Sequence, residues 1–576
     1  MGKKRSFIKS FLFPHHRHSS HNNEVKLTEE QATALASISH YAQHHLSITS
    51  LNQSALTTIL ESNAWDTQMA ANELEDYHEA DSGLLWPPPR IESDTVLLGS
   101  ENDAYTSCYI DSLLFAMFVG LSSFDPLLTY EISDQFEPQQ RLQTLLRFFV
   151  NKLRKGHLIK AEFIRCLRKA LQAAKWAGCD VDGAWTQEDA SELFMFITET
   201  FDLPYLPFQI RLFHGAERDM DDDRVMTDRV LSIAVPEDHN AKLENLLLDH
   251  FYDNIITGIK RKVGNDQSSQ QQRRQHRRRQ SLSRNTSNEE DHGMSSDGDE
   301  LSITKGVEYF EMVGGEEGSR GKGRRGGQVE VTAWQVLELL PFYSGMNEQG
   351  NSIETQTPQN FPDWHLMLPI VLNRYRYDQQ GNSHKIKTII DIPEQIEFNR
   401  FVNRNTDYPV CGTCGRRVEC VMRLQSAVCH KGDSVYSGHY IAYAKASNNT
   451  DNLSTSDDNE IWLKFDDLDA TKRVRTIIGR HGTVQAELSR DAYVVFYELV
   501  KLCNHDSTTP HSMDIKGPQS VVFDETVVIT PKDGKEEHET LDTRVTPTTT
   551  TTTTTATTTK STSSSFSSIK LSCKFI

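Results

Sequence analysis

The chain of 576 residues lacks any apolar run that could cross a membrane as a helix, which takes about 20 consecutive apolar residues. Its densest apolar stretch, Leu113 to Leu121, is too short, so a transmembrane protein is not expected. Cysteine is scarce as well, with nine residues, and no secretory apolar region opens the sequence. Reduced thiols in the cytosol or nucleus are therefore expected.

Hydrophobic residues are also few, at 37%, against about 45–50% in globular chains, so part of the sequence is not expected to fold. The polar residues concentrate in an insertion, Lys260 to Gly327, and in the tail 501–576, and both are predicted to be disordered. The cluster Arg273 to Arg279 could grip nucleic acid, but a solvated basic loop is the preferred interpretation. The net charge of −19 also argues against a specific nucleic-acid partner and suits one that offers basic groups.

The rest of the sequence divides into four segments. Residues 1–26 are basic and hydrophobic, and residues 27–80 show the apolar spacing of three short helices. Residues 81–96 contain Trp86-Pro87-Pro88-Pro89 and are predicted to form a stiff linker. Residues 97–500, interrupted by the insertion, are long enough to bury a large core.

The helical segment 27–80 opens with Thr28 and Gln31, which could form a capping box. Its stretch Leu56 to Asp66, together with Ala70 and Leu74, resembles the last two helices of a UBA-like ubiquitin-binding module. The resemblance implies a weak second ubiquitin site that would raise the effective concentration of substrate across the linker. A small helical packing element is the alternative that the sequence leaves open.

In the large segment, helical patterns come first and strand patterns follow. Apolar residues recur at helical spacing in Leu142 to Leu153 and in Phe163 to Ala174. From Trp364 to Leu499 the sequence changes to short β-branched and aromatic runs, such as Lys387 to Ile392. Helices followed by strands predict an α+β domain.

Cys108 lies where a loop ends and an apolar helix begins, so its sulfur is expected to face the positive end of the helix dipole, which lowers a thiol pKa. A buried structural cysteine would be the commoner interpretation of Cys108 alone. A nucleophile also needs a base and a group that orients the base. His439 begins a predicted strand, and the next strand, Ile461 to Phe465, leads into Asp466. Neighbouring strands of a hairpin could set Asp466 beside the imidazole, as in a catalytic triad.

These segments resemble the ubiquitin-specific protease family of cysteine deubiquitinases. The resemblance covers residues from about Leu98 to Glu498 and rests on five ordered motifs. They are the family's Cys box at Tyr105 to Phe115, the QQDAxEF motif at Gln187 to Phe194, the LPxVLxxxLKRF motif at Pro369 to Tyr375, the His box at Gly438 to Tyr440 with Trp462 to Asp467, and the closing strand at Asp491 to Tyr497. The resemblance implies a papain-like fold, in which a helical thumb and a β-rich palm hold the C-terminal tail of ubiquitin between them.

The resemblance also implies roles for individual residues. Cys108 is implied to be the nucleophile, His439 the general base and then acid, and Asp466 the carboxylate that orients the histidine. Three further residues are implied to bind the ubiquitin tail: Asp189, Gly438 and Tyr440. The expected activity is hydrolysis after the C-terminal glycine of ubiquitin in conjugates with other proteins, and no cofactor is expected.

One departure from the family concerns the oxyanion donor. Most members carry an Asn five residues before the nucleophile, whereas this chain has Asp103 there and Asn102 one residue earlier. A carboxylate cannot donate a hydrogen bond, so either Asn102 or backbone N–H groups are expected to act. The cylindromatosis-type branch also lacks that Asn. Two alternatives remain: a catalytically inactive ubiquitin-binding scaffold, and a protease for another ubiquitin-like modifier.

A second departure concerns zinc, which many relatives bind through two CxxC pairs. This chain has no cysteine between Cys179 and Cys411. A single CxxC pair follows at Cys411 and Cys414, and one pair makes a metal-free turn the preferred interpretation over a zinc site.

The final four residues, beginning at Cys573, resemble a CaaX prenylation box. One lipid gives only marginal anchoring, but Lys3, Lys4, Arg5 and Lys9 could supply a second membrane signal. We therefore expect a cytoplasmic protein that associates with a membrane through a prenyl group on Cys573. An unmodified C-terminus is the alternative.

Overall fold

The computed structural model describes residues 27–48, 53–91, 95–133, 135–180, 183–214, 217–252, 254–262, 328–341, 343–344, 366–380, 383–403, 418–446, 460–478 and 482–502. The basic N-terminal segment, most of the predicted insertion and nearly all of the predicted tail lie outside these ranges. So do Cys411, Cys414 and Cys573, whose predicted states stay predictions. No helix among the described residues has the length and apolar character needed to cross a membrane.

Three helices form the N-terminal module: α1 (Glu29–His44), α2 (Gln53–Ser62) and α3 (Thr67–Ser82). The predicted capping box is present, because Thr28 accepts from the N–H of Gln31 while the Gln31 side chain accepts from the N–H of Thr28. The module has a hydrophobic cluster of its own, which includes Leu35, Ile38, Leu56, Ile59, Leu60 and Leu74.

The module is packed onto the large domain, which begins at about residue 97, rather than held at a distance from it. Helix α3 lies against a long helix of that domain, and the ring of Tyr77 stacks on Phe148 with 4.0 Å between ring centroids. The predicted linker is also fixed there. The N–H of Trp86 donates to Asn151 Oδ1 at 2.9 Å, and Asn151 Nδ2 donates to the carbonyl of Leu84 at 2.9 Å.

Asp76 joins the module to the large domain electrostatically. Its buried carboxylate lies 3.0 Å from Lys155 Nζ, 3.0 Å from His157 Nδ1 and 4.0 Å from Lys152 Nζ. Burial alone would raise the pKa of Asp76, but the hydrogen bonds from His157 and Lys155 outweigh it and lower the pKa. Asp76 is therefore a buried anion that depends on partners from the other domain.

We predict that Asp76→Ala lowers the free energy of unfolding by about 3 kcal/mol, because Lys152 and Lys155 lose a buried counter-ion. Urea unfolding of the full chain measures this loss. The matched control is Glu61→Ala, which removes an exposed acid from α2 of the same module and should change the stability by under about 0.5 kcal/mol. Equal stability of the two variants would show that Asp76 does not stabilise the contact between the module and the large domain.

The helical part of the large domain consists of α4 (Cys108–Phe118), α5 (Pro126–Thr129), α6 (Glu137–Lys155), α7 (Ala161–Ala173) and α8 (Ala190–Thr200). The predicted helical stretches fall inside α6 and nearly coincide with α7. Helix α4 differs from the others because every one of its residues is buried, which fits its almost continuous apolar sequence. It packs on one side against α6 and α8 and on the other against the main sheet.

The main sheet has the strand order β15-β14-β13-β12-β16-β7-β3, with β11 paired to β12. Its strands are β3 (Leu231–Ala234), β7 (Leu366–Asn373), β11 (Gln395–Glu397), β12 (Glu419–Ser434), β13 (Ser437–Lys445), β14 (Ile461–Phe465), β15 (Val474–Ile478) and β16 (Ala492–Leu502). Among the described strand pairs of this sheet, β3 and β7 alone are parallel. The α+β class predicted from the sequence is confirmed. Helix α10 (Thr483–Asp491) packs beside β12 and β16 of this sheet.

A second sheet has the order β2-β1-β6-β5. Its strands are β1 (Leu206–His214), β2 (Glu217–Asp228), β5 (Asn254–Lys262) and β6 (Gln328–Leu339). Lys262 pairs with Gln328, so the residues between them join two paired strands. The predicted start of the insertion was therefore wrong by three residues, because Lys260 still belongs to β5.

Short elements complete the described chain. Helix α9 (Leu243–Tyr252) follows β4 (Ala241–Lys242), which pairs with β10 (Ile390–Asp391), and β8 (Tyr375–Tyr377) pairs with β9 (Ser383–Lys385). The strand predicted over Lys387 to Ile392 is thus limited to the two residues of β10. Apolar and polar residues alternate there because Ile390 and Ile392 are buried, but the segment forms no long run of hydrogen bonds with a neighbouring strand.

Candidate active site

Cys108 is the first residue of α4, as predicted, and is 1% exposed. The turn at residues 103–106 precedes it, and Ala104 and Tyr105 in this turn have φ angles of +57° and +59°. Two consecutive non-glycine residues in this left-handed region are unusual and reverse the chain just before the helix. Further along α4, Phe115 stacks on Phe465 of β14 with ring centroids 4.7 Å apart, which fixes the helix on the sheet.

The thiol of Cys108 is held between the two halves of the domain. Its Sγ donates to Oε1 of Gln187 at 3.6 Å and accepts from the backbone N–H of Tyr440, the residue that follows His439. Burial and the negative charge of Asp467 raise its pKa to about 12. The expectation that the helix dipole would lower this pKa was therefore wrong, because burial is the larger effect. Such a raised pKa favours the neutral thiol, so a nucleophilic role for Cys108 would require a base.

The orientation of the His439 ring is fixed by a carboxylate. His439 lies on β13, which pairs with β14 in the register Ala442 to Phe465, and its Nε2 lies 2.8 Å from Asp466 Oδ1. Burial works against ionisation of Asp466, but its hydrogen bond with His439 lowers the carboxyl pKa. An ionised carboxylate only accepts, so Nε2 carries the proton and Nδ1 is the nitrogen left to act as base. The predicted pairing of His439 with Asp466 is present.

Asp467 is buried beside the triad. Its Oδ2 accepts from Asn102 Nδ2 at 2.7 Å, and its Oδ1 lies 3.9 Å from His439 Nε2. Burial and the neighbouring carboxyl of Asp111 raise the pKa of Asp467 to about 8. Donor atoms of His439, Asp466 and Asp467 lie within 4.8 Å of one another, a spacing that could hold a metal. The hydrogen bond to Asp466 occupies the nitrogen that a metal would need, so we assign no metal there.

Asp103 does not face the thiol. Its Oδ1 lies 2.9 Å from Arg165 Nη2 and its Oδ2 lies 3.3 Å from Arg168 Nη1. Arg168 is fully buried and also donates to the carbonyls of Thr106 and Thr186. Asp103, which replaces the family's usual Asn, therefore holds the turn before Cys108 in place through two arginines. The positive charges of these arginines balance its negative charge.

We predict that Asp103→Asn lowers the free energy of unfolding by about 3 kcal/mol, because it leaves the buried Arg168 without its carboxylate. Urea unfolding monitored by tryptophan fluorescence measures the change. Asp249→Asn is the matched control, since Asp249 is an exposed acid on α9. Unaltered stability in Asp103→Asn would show that the carbonyls around Arg168 are sufficient to hold it.

Asp189, predicted to grip the ubiquitin tail, caps α8. Its Oδ1 accepts from the N–H of Ser191 at 2.7 Å, and its Oδ2 accepts from the hydroxyl of Tyr493 at 2.6 Å. The negative charge of Asp189 also contributes, after burial, to the raised pKa of Tyr440 and Tyr493. The carboxylate thus lies among tyrosines, and its tail-binding role stays a prediction.

Gly438 and Tyr440 were predicted to border the channel for the tail. Gly438 has φ +122°, and a Cβ there would lie 2.5 Å from the carbonyl oxygen of Lys431 on the neighbouring strand. The need for glycine is therefore explained by the protein's own strand β12, not by space for a ligand alone. The Tyr440 side chain is fully buried and donates to the carbonyl of Val435 at 3.2 Å, so only its backbone can border a channel.

Two residues of the site were not singled out from the sequence. Gln187 was quoted only as part of a motif, yet it is the side chain that accepts from Cys108. Asp111 lies one turn after Cys108 on α4 and is completely buried. A buried acid three residues after the nucleophile in an otherwise apolar helix was the available signal for it, because such an acid needs partners.

The family model described as ubiquitin carboxyl-terminal hydrolase matches residues 98–497, which include every residue of this site. The chain belongs to this family. The resemblance drawn from the five motifs is confirmed. As in a papain-like member of the ubiquitin carboxyl-terminal hydrolase family, a buried helix carries the cysteine and the sheet carries the histidine and its carboxylate.

Individual relatives share either a short matched stretch or a low sequence identity with this chain. Ubiquitin carboxyl-terminal hydrolase 48 of Danio rerio is 31% identical over 110 residues, which are 18% of this chain and only 8% of that protein. The solved SAGA Ubp8/Sgf11/Sus1/Sgf73 DUB module bound to ubiquitin aldehyde is 15% identical, with 75% of each chain covered and a TM-score of 0.41. The yeast SAGA DUBm with a mutant Sgf73 is 15% identical, with 71% of this chain and 69% of that chain covered and a TM-score of 0.38.

Proposed function

We propose that this member of the ubiquitin carboxyl-terminal hydrolase family is an active cysteine deubiquitinase that cleaves the bond after the C-terminal glycine of ubiquitin. The observation that carries the proposal is the hydrogen bond of 2.8 Å between His439 and Asp466, together with a cysteine at the start of a buried helix whose sulfur accepts from the backbone N–H of Tyr440, the residue after His439. The bond leaves Nδ1 of His439 as the base that a neutral Cys108 requires. An inactive scaffold would have no need of this arrangement.

In the proposed reaction, His439 Nδ1 takes the proton of Cys108 and the sulfur attacks the carbonyl carbon of the terminal glycine. The resulting imidazolium, stabilised by the anionic Asp466, returns the proton to the departing amine as the C–N bond breaks. Water, deprotonated by His439, then attacks the thioester and releases ubiquitin. The carboxylate of Asp189 would contribute attraction for the arginine-rich tail.

Cys108→Ala is expected to lower kcat/KM for ubiquitin-aminocoumarin by at least about 10³-fold, because no covalent intermediate can form. The affinity for ubiquitin should stay within about threefold in a binding titration, since the alanine removes only the sulfur. Cys166→Ala is the matched control, because Cys166 is a free, half-buried cysteine on α7 away from the triad. Hydrolysis by Cys108→Ala at the parent rate would refute the assignment.

Labelling with ubiquitin vinyl sulfone separates the alternatives. An active deubiquitinase forms one adduct that Cys108→Ala abolishes and Cys166→Ala retains. A catalytically inactive ubiquitin-binding scaffold would bind ubiquitin and form no adduct. A protease for another ubiquitin-like modifier would instead react with the corresponding modifier probe and leave the ubiquitin probe unused.

We infer that Asn102 is the oxyanion donor, since one N–H of its amide is used on Asp467 and the other remains. Asn102→Ala should lower kcat by about 10²-fold. It should also weaken binding of ubiquitin aldehyde, which forms a tetrahedral adduct with the cysteine, more than binding of unmodified ubiquitin. An unchanged kcat would assign the role to backbone N–H groups at the start of α4.

We also infer that the N-terminal module is UBA-like and binds a second ubiquitin. Its three-helix form and separate core support the inference. In the Cys108→Ala variant, a titration with unlabelled ubiquitin should then show two binding sites. A single site would leave the module as a packing element of the catalytic domain.

A further inference from the structure

The short segment before the nucleophile helix, residues 99–103, carries Asn102 and lies outside the helices and strands of the domain. Its backbone is held by the turn that connects α6 to α7. The N–H of Ile159 donates to the carbonyl of Gly99 at 2.9 Å, and the N–H of Glu101 donates to the carbonyl of Ile159 at 2.9 Å. The position of Asn102 therefore depends on contacts between this segment and neighbouring elements.

The side chain of Asn102 is held at one end only. Its Nδ2 donates to Asp467 Oδ2 at 2.7 Å, whereas its buried Oδ1 has no hydrogen-bond partner among the described residues. A single hydrogen bond lets the amide plane rotate about it, so this bond alone does not fix the direction of the second N–H. An oxyanion donor has to be aimed before the reaction begins. The backbone of the segment must therefore supply the missing constraint.

Glu101, the residue before Asn102, connects the segment to two further elements. Its Oε2 accepts from the N–H of Ala161 at 3.1 Å, at the start of α7, where the side chain of the N-cap residue Lys160 makes no capping hydrogen bond. Its Oε1 lies 3.5 Å from Nη2 of Arg473, just before β15. A carboxylate is favourable at both places, because a helix N-terminus carries partial positive charge and a guanidinium carries a full one.

Both partners of Glu101 are held in turn by other parts of the chain. The carbonyl of Arg473 accepts from the N–H of the triad residue Asp466 at 2.9 Å. On the other side, Nζ of Lys160 donates to Asn63 Oδ1 of the N-terminal module at 2.8 Å. Glu101 therefore lies between a turn that the module holds and a loop that is bonded to the triad.

We propose that Glu101 is a positioning residue of this site: its carboxylate holds the segment of Asn102 between α7 and the loop after β14, and so directs the amide of Asn102 toward the oxyanion. The proposal rests on the proposed function and on the role inferred there for Asn102. The two oxygens of Glu101 are used on Ala161 and Arg473, so Glu101 acts through Asn102 rather than by contact with the substrate.

The test compares Glu101→Ala, Asn102→Ala and the double variant by kcat and KM for ubiquitin-aminocoumarin. Glu101→Ala should lower kcat about tenfold and leave KM within about twofold, because a misdirected donor weakens the transition state and not substrate binding. In the double variant, the loss should equal that of Asn102→Ala alone, since no donor is left to position. Losses that multiply in the double variant would overturn the proposal and leave Glu101 with a purely structural role.

Glu101→Gln and Glu162→Ala are the matched variants. The oxygen of the Gln side chain can still accept from one of the two partners, so Glu101→Gln should recover part of the kcat that Glu101→Ala loses. Glu162 is an exposed acid in the first turn of α7, and its removal tests the effect of a lost charge at the same end of this helix. Glu162→Ala should keep kcat within about twofold. A loss as large as that of Glu101→Ala would overturn the proposal, because it would assign the effect to α7.

Hydrogen exchange of the Asn102 side chain tests the contact without activity. In protein labelled with 15N-asparagine, the amide signal of Asn102 is identified by its loss in Asn102→Ala. Glu101→Ala should speed the exchange of this amide with solvent by about tenfold, because the segment that carries it opens more readily, and Glu162→Ala should not.

The two readouts separate this proposal from the proposed function. A parent that neither hydrolyses the substrate nor reacts with ubiquitin vinyl sulfone, but whose Asn102 exchange is faster in Glu101→Ala, would refute the deubiquitinase and support the hold of Glu101 on Asn102. An active parent whose kcat is the same in Glu101→Ala would support the deubiquitinase and refute the positioning role, whatever the exchange rate. An unchanged kcat in Asn102→Ala would also refute it, since Glu101 would then have no donor to direct.

Discussion

Burial of helix α4 on every side is the constraint on which the rest of this structure depends. The helix lies between the other helices and the main sheet, so its sequence must be apolar all round, and each polar residue on it needs a partner from elsewhere in the chain. Cys108 has Gln187 and the backbone of Tyr440, and Asp111 accepts hydrogen bonds from Ser100 and Ser107. Packing of this single helix thereby assembles the site from segments hundreds of residues apart.

The same burial sets the electrostatics of the site. A thiol in this position loses more from desolvation than it gains from the helix dipole, so the pKa of Cys108 is raised and activation falls to His439. Two acids near the thiol have charged partners: Asp103 lies beside two arginines and Asp466 is hydrogen-bonded to His439. Asp467 instead adds to the effect of burial and raises the pKa of Cys108 further.

Local patterns predicted much of this from the sequence. The start of α4 at Cys108 follows from an apolar run after a turn, and the pairing of His439 with Asp466 follows from two strands joined in sequence. The contact between Asn102 and Asp467 could not be predicted, because the two residues are 365 positions apart and only packing of the sheet against α4 brings them together. The partners of Asp103 were unpredictable for a related reason: Arg165 and Arg168 lie on a helix whose facing side depends on its tertiary packing.

The position of the N-terminal module alters the argument for a second ubiquitin site. A flexible linker would let the module search for ubiquitin and would raise its effective concentration over a range of distances. Here α3 and the residues after it are fixed on α6 by Asp76, by the Tyr77–Phe148 stack and by Asn151. A ubiquitin bound to the module would therefore be held at one distance and orientation from Cys108. With the ubiquitin binding proposed for the module, such a fixed geometry would favour conjugates whose two ubiquitin units match that spacing, because other conjugates could not engage both sites at once.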